Sequence, residues 1–341
     1  MLKYSTYTQV EQQTNLNDRI ILEKAHLTLL EESSPRLGIV HKRPVNSTPK
    51  AAVILVHGFA QNRYTWHGTK RSFSAWLVSK GFEVYNLELR GHGNSRRDGQ
   101  VGAECFADYV DDVIRAAQAI PNPAFWIGHS LGGAAIYGAA ATMTPLKCLG
   151  VIGLGAVFHF GKGNFTMKTL CRISHKLRHI PVIEQLQVKT RLGGGFLSNI
   201  YGITDILGYT FPLSGWWPGS IEPDILQERL QKGFDWTSVK VWLEMSRWGA
   251  TGQFDYEEQW QKTMVPLLVV LGDEDHLLTP ESGRVAFDTS PSQSKELLLL
   301  DDFFHEQHWG HLDITIGHRA PSIVWPALED WMLKVRNQIH Q

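Results

Sequence analysis

The stretch Trp126–Ala140, WIGHSLGGAAIYGAA, joins an apolar run to a run of small residues through a serine set between glycines. Upstream, Ala124–Gly128 (AFWIG) has strand character, and downstream the small side chains suit a closely packed helix. In that setting the pattern Gly128-x-Ser130-x-Gly132 predicts a sharp turn from strand to helix. The turn holds Ser130 in a strained conformation with its hydroxyl exposed above the strand ends. The five-residue pattern alone is a weak signal, and its flanks give it weight. A serine hydroxyl is a poor nucleophile near neutral pH, so it needs a base for its proton and donors for the oxyanion. The backbone N–H of Leu131, at the positive end of the helix, is one such donor.

Working outward, apolar runs of strand length alternate with helical patterns. Ala51–Val56 (AAVILV), Gly81–Leu89, Ala124–Gly128, Leu149–Val157, Pro266–Gly272 and Lys295–Asp301 read as strands. Their continuous apolar character implies burial on both faces, as in a parallel sheet. Arg71–Gly81, Phe106–Ile120 and Pro321–Val335 read as helices between and after them. The expectation is an α/β fold with a mostly parallel central sheet flanked by helices. The chain up to about Val45 is expected to add two antiparallel strands at the sheet edge. Residues 158–262 break the alternation and hold six of the twelve tryptophans. So long a segment is not a plain loop. It is expected to form an inserted helical cap subdomain, with the core formed by 1–157 and 263–341.

Composition excludes several classes. The net charge is -1, with 33 basic and 34 acidic side chains, so no global field attracts nucleic acid. The three cysteines lack metal-binding or disulfide spacing and suit a reducing compartment. The first residues lack the apolar region of a signal peptide, and no apolar stretch is long enough to span a bilayer. A cytoplasmic protein is expected. Gly153–Val157 (GLGAV) is only a fragment of a dinucleotide fingerprint, so no cofactor is expected.

The site needs a second oxyanion donor. His57-Gly58-Phe59 follows the strand Ala51–Val56, and the N–H of Phe59 is the best candidate. Further along, His305–Asp313 (HEQHWGHLD) spaces three histidines by three residues. The zinc-protease pattern H-E-x-x-H needs the second histidine at 309, where Trp309 stands, so that geometry fails. A three-histidine metal site is the competing reading, and no metal is expected.

The segments HGFAQNRYTW, NLELRGHGNSR, GHSLGG, LGDEDHLLTP and GHLD stand in the order found in α/β-hydrolase-fold serine hydrolases, which the chain resembles from about residue 51 to 335. The resemblance implies a Ser-acid-His triad in that chain order. Family spacing selects Asp275 as the acid, with Asp273 as the fallback, and the GHLD loop selects His311 as the base. Asp313 then reads as a structural partner. His305 and His308 read as residues of the pocket mouth, and His57, His92 and His129 as supports of their turns. The expected activity is hydrolysis of carboxylic esters with an apolar acyl part, through an acyl-enzyme on Ser130. An acyltransferase or thioesterase would use the same triad, and a ligand receptor without activity could share the fold. The insertion is expected to wall the acyl pocket with one to three of its tryptophans. Within it, Lys168–His179 reads as an amphipathic helix with Lys168, Arg172, Lys176 and His179 opposite Leu170, Ile173, Leu177 and Ile180. This basic segment is a candidate contact for a membrane surface or an acyl carrier. The sequence leaves the oligomeric state open.

Overall fold

The computed structural model describes residues 2–31, 34–96, 102–143, 147–177, 187–189 (backbone only) and 215–339. The apolar runs form the centre of one sheet: β5 (Ala52–Val56), β6 (Glu83–Glu88), β7 (Ala124–His129), β8 (Cys148–Leu154), β11 (Leu267–Gly272) and β12 (Lys295–Leu300). All are parallel, in the spatial order β6-β5-β7-β8-β11-β12. β5 lies beside β7, so the turns that follow them, at Gly58 and Ser130, emerge side by side. Ligands of open α/β sheets bind at such carboxyl ends.

Alternation along each strand divides the core. Ile54, Val56 and Trp126 pack with the helices Ala107–Ala119 and Leu131–Thr142 on one face. Val53, Leu55, Phe125 and Ile127 pack with Phe73–Ser79 and Val324–Ile339 on the other. Each such side chain, fully removed from water, contributes about 1.5–3 kcal/mol, and together they fix the register of the strand ends.

The N-terminal region departs from expectation. It forms four strands, not two: β1 (Leu2–Tyr4), β2 (Thr8–Asn15), β3 (Asp18–Glu31) and β4 (Ser34–Pro44). They pair antiparallel, and β4 joins them to β6. β2 reads TQVEQQTN, with one apolar residue, because an edge strand is held by backbone pairing and can leave its side chains in water.

Within 158–262 the helices Phe165–Leu177, Pro223–Lys232, Val239–Thr251 and Glu257–Trp260 form, together with a pair of short antiparallel strands, β9 (Gln187–Lys189) and β10 (Trp236–Ser238). The expected amphipathic helix exists, but it packs through Met167 and Cys171. Leu170, Ile173 and Leu177 face outward with Lys168, Arg172 and Lys176, while His179 and Ile180 lie outside the described residues. Trp248 packs against Phe106 and Phe254. Trp260 packs on Tyr137 of the core, its indole N–H donating to Ala286 O at 2.9 Å. Among the described residues no helix is long and apolar enough to cross a membrane.

Candidate active site

β7 ends at His129 and the next helix starts at Leu131, leaving Ser130 between them at φ 56°, ψ -123°. A non-glycine residue in that region is strained, and the surrounding backbone holds it there. Ser130 N donates to Leu154 O at 3.1 Å, and Ser130 O accepts from Gly133 N and Val157 N at 2.9 and 3.0 Å. The glycines are needed for close approach. A Cβ on Gly128 would meet Gly132 O at 2.5 Å, and one on Gly132 would meet His57 O at 2.4 Å.

The turn after β5 is organised as closely. Gly58 O accepts from Gln61 N at 3.2 Å and contacts His57 Nδ1 at 3.0 Å. His57 Nε2 accepts from Leu89 N at 3.1 Å, so its proton sits on Nδ1 and that contact is a donation. With the Gly58 carbonyl held from two sides, the trans peptide turns the Phe59 N–H the opposite way. Gln61 Oε1 accepts from Gly58 N at 3.3 Å and from Thr65 Oγ1 at 2.9 Å. Thr65 Oγ1 in turn accepts from Arg229 Nη2 at 3.2 Å. Arg229 is fully buried, with Nε and Nη1 lacking partners, and burial pushes its value down to about 10. No feature of the sequence pattern had marked Gln61, Thr65 or Arg229, because a charge from a distant helix meets this turn only in the fold.

His311 Nδ1 lies 2.6 Å from Asp275 Oδ2, and both side chains are buried. Asp275 Oδ1 accepts from Leu277 N and Leu278 N at 3.0 and 2.7 Å, which fixes the carboxylate. Gly155, at φ +48°, lets the backbone pass beneath the pair. His129 Nε2 lies 3.0 Å from His311 O and holds that backbone, so the histidine of the serine turn braces the histidine loop. Burial keeps His57 and His129 well below the ordinary histidine value, hence neutral. His92 is also buried, with Nδ1 at 3.0 Å from Arg90 O.

Ser130 and His311 border one cavity of about 280 Å³, without a direct hydrogen bond between them. Its walls are apolar: Phe59, Val157, Phe160, Trp216, Trp242 and Leu278. Two of the tryptophans within 158–262, Trp216 and Trp242, line the cavity with Ser130. Asp313 is a structural partner, as expected: it accepts from Ser220 Oγ at 2.6 Å, Trp217 N at 2.8 Å and Gly310 N. Burial pushes its carboxyl up to about 7.

The three histidines of HEQHWGHLD do not converge. His305 contacts Asp301, His308 contacts Asp273 at 2.6 Å, and His311 contacts Asp275. The His308 ring also packs against Trp217 in a tilted arrangement, with Asp302 at 3.6 Å from its other nitrogen. Asp273, the fallback acid, is thus engaged by His308 and by Trp309 N. The cluster Asp273, Asp302 and His308 has ligand atoms close enough for a cation, but carboxylates already face both ring nitrogens.

The chain resembles known proteins over nearly its whole length. It is 23% identical over 292 residues to an uncharacterized 31.7 kDa protein of the traX-finO intergenic region of Escherichia coli, covering 83% of this chain and 91% of that protein. Its identity to a monoacylglycerol lipase of Mycolicibacterium smegmatis is 23% over 266 residues, 76% of this chain and 83% of the relative. Its fold matches a soluble variant of the Saccharomyces cerevisiae monoglyceride lipase with a TM-score of 0.68 and 17% identity, covering 96% and 97% of the two chains. Residues 53–318, from β5 to beyond the histidine loop, match the sequence profile of one family, and the chain belongs to that family, the alpha/beta hydrolases.

Proposed function

We propose that the protein is a carboxylic ester hydrolase that attacks esters of apolar acyl groups through Ser130. One observation carries this reading: a serine in a strained strand-to-helix turn and His311, paired with the buried Asp275, border the same apolar cavity. A cavity of about 280 Å³ walled by phenylalanine, tryptophan and leucine takes an aliphatic chain more readily than a charged one. Two of the similar proteins are named as a monoacylglycerol lipase and a monoglyceride lipase, which supports an ester substrate.

In the proposed cycle His311 Nε2 takes the proton from Ser130 Oγ as the oxygen attacks the ester carbonyl. Asp275 keeps the proton of His311 on Nδ1 and stabilises the imidazolium without taking that proton. The N–H groups of Phe59 and Leu131 hold the oxyanion. The imidazolium then protonates the departing alkoxide, and the ester bond breaks to leave an acyl group on Ser130. Water, deprotonated by His311, attacks the acyl-enzyme and releases the acid, restoring Ser130 and neutral His311. The buried charge of Arg229, behind Thr65 and Gln61, favours negative charge at the turn.

Labelling with a fluorophosphonate probe, beside turnover of nitrophenyl esters from acetate to dodecanoate, tests the reading. Wild type should label and should turn over medium chains best, and Ser130→Ala should do neither. Equal labelling of both proteins, or no ester turned over, would falsify it.

A further inference from the structure

A second cleft, of about 380 Å³, opens far along the chain from Ser130, between the β2–β3 hairpin and the loop at His67–Thr69. Glu11, Gln12, Arg19, Lys24, His67 and Thr69 line it. Behind His67 lies an unusual arrangement of charge. Lys24 on β3 and Lys42 on β4 are directly opposed across the two strands. Like charges in that position repel, and Lys42 is wholly buried, which adds the cost of desolvation.

Nearby carboxylates do not offset this. Glu11 pairs with Arg19, Glu88 with Arg63 and Glu228 with Lys232. Among the described residues neither Lys24 nor Lys42 makes an ion pair. Lys42 Nζ donates to Ser74 Oγ at 2.7 Å and approaches His67 Nδ1 at 3.5 Å. Burial and the neighbouring Lys24 and Arg63 hold Lys42 well below the ordinary lysine value, and burial with Lys42, Lys24 and Arg63 does the same to His67. Ser72 Oγ, Gln12 Nε2 and Lys42 Nζ all face His67 Nδ1. That nitrogen is therefore the acceptor, and Nε2 carries the proton as a donor.

Cations and donors thus converge from β2, β3, β4 and the His67 loop, and Glu11, the one carboxylate among the residues that line the cleft, is paired with Arg19. A spread of donors in several directions suits a tetrahedral oxyanion better than a planar carboxylate. The cleft is also larger than one phosphate, leaving room for a small organic body. We propose that this cleft binds the phosphoryl group of a small molecule between Gln12, Lys24 and His67, above the buried amine of Lys42. The bound anion would supply the negative charge that the two opposed lysines lack.

Two variants give responses of different sign. In chloride buffer Lys42→Met should unfold at the same temperature as wild type or higher, since a buried amine and a like-charge contact are gone. Replacing chloride by inorganic phosphate at equal ionic strength should raise the wild-type midpoint to a plateau and leave Lys42→Met unmoved. Calorimetry with glycerol 3-phosphate should show saturable binding, weakened about tenfold or more in Lys24→Gln. Lys24 is reached by solvent, so that variant carries the test if Lys42→Met does not fold. Absence of a phosphate response in wild type, or an equal response in all three proteins, overturns the site. Flotation with phosphatidic acid vesicles but no calorimetric binding of glycerol 3-phosphate overturns its assignment to a small molecule.

Discussion

Two histidine–aspartate pairs link the same two loops. His311 meets Asp275 and His308 meets Asp273, each at 2.6 Å. In sequence the pairs are offset by two residues on one loop and three on the other. The inner pair is buried, and its His311 borders the cavity with Ser130. The outer pair is partly exposed, and its His308 packs against Trp217. The contact distance therefore does not distinguish a proton carrier from a loop tie. The proposed assignment of proton transfer to the inner pair rests instead on burial, a fixed carboxylate and the cavity that His311 shares with a strained serine.

The proposed roles can be broken or sharpened on that contrast. Ser130→Ala or His311→Ala should lower ester turnover by about 10⁶-fold, near the loss seen when such groups act as a unit. Asp275→Asn should lower kcat by about 10⁴-fold by favouring the wrong tautomer of His311. Asp273→Asn, read by the same ester assay, should change kcat by less than about threefold, as expected of a partly exposed pair. Equal losses at 273 and 275 would remove the distinction between inner and outer pairs.

Gln61→Ala tests the turn that carries the Phe59 N–H. It should cost about 10²-fold in kcat with little change in KM, at the low end of losing an oxyanion donor. A change confined to KM would make Gln61 a wall of the pocket instead. The smallest effect belongs to His308. Asp273 raises its value, so the folded state holds the proton more tightly. That stabilisation is fully present below the ordinary histidine value and is lost as the pH rises through the raised one. Unfolding midpoints of wild type and His308→Gln should differ most in acid and converge in alkali, with a difference under about 1 kcal/mol that salt reduces.

Much of this was legible in the sequence because it depends on local constraint. A strand running into Gly-x-Ser-x-Gly leaves few conformations, and apolar runs such as Val53–Val56 imply two-sided burial. The pairing of His311 with Asp275 came from the resemblance, and the geometry agrees with it. What escaped were features set by contacts between distant segments. Arg229 meets Thr65 across 164 residues. The strand Thr8–Asn15 has no apolar pattern because its ladder is made of backbone groups. His308 reads in sequence only as a residue of the pocket mouth, and its contacts with Asp273 and Trp217 arise from the fold.

The stitching around the donor turn has a mechanical consequence. Asp235 N holds Ala60 O at 2.8 Å, Asn62 Nδ2 holds Lys232 O at 2.9 Å, and Gln61 bridges Phe234. On the opposite rim Leu312 N holds Gly215 O, and Asp313 holds Trp217 and Ser220. Residues 215–235 therefore act as a strap buckled to both loops that flank Ser130. Trimming the insertion to widen the entrance would slacken those loops, and a shortened protein would lose its chemistry before it gained bulkier substrates.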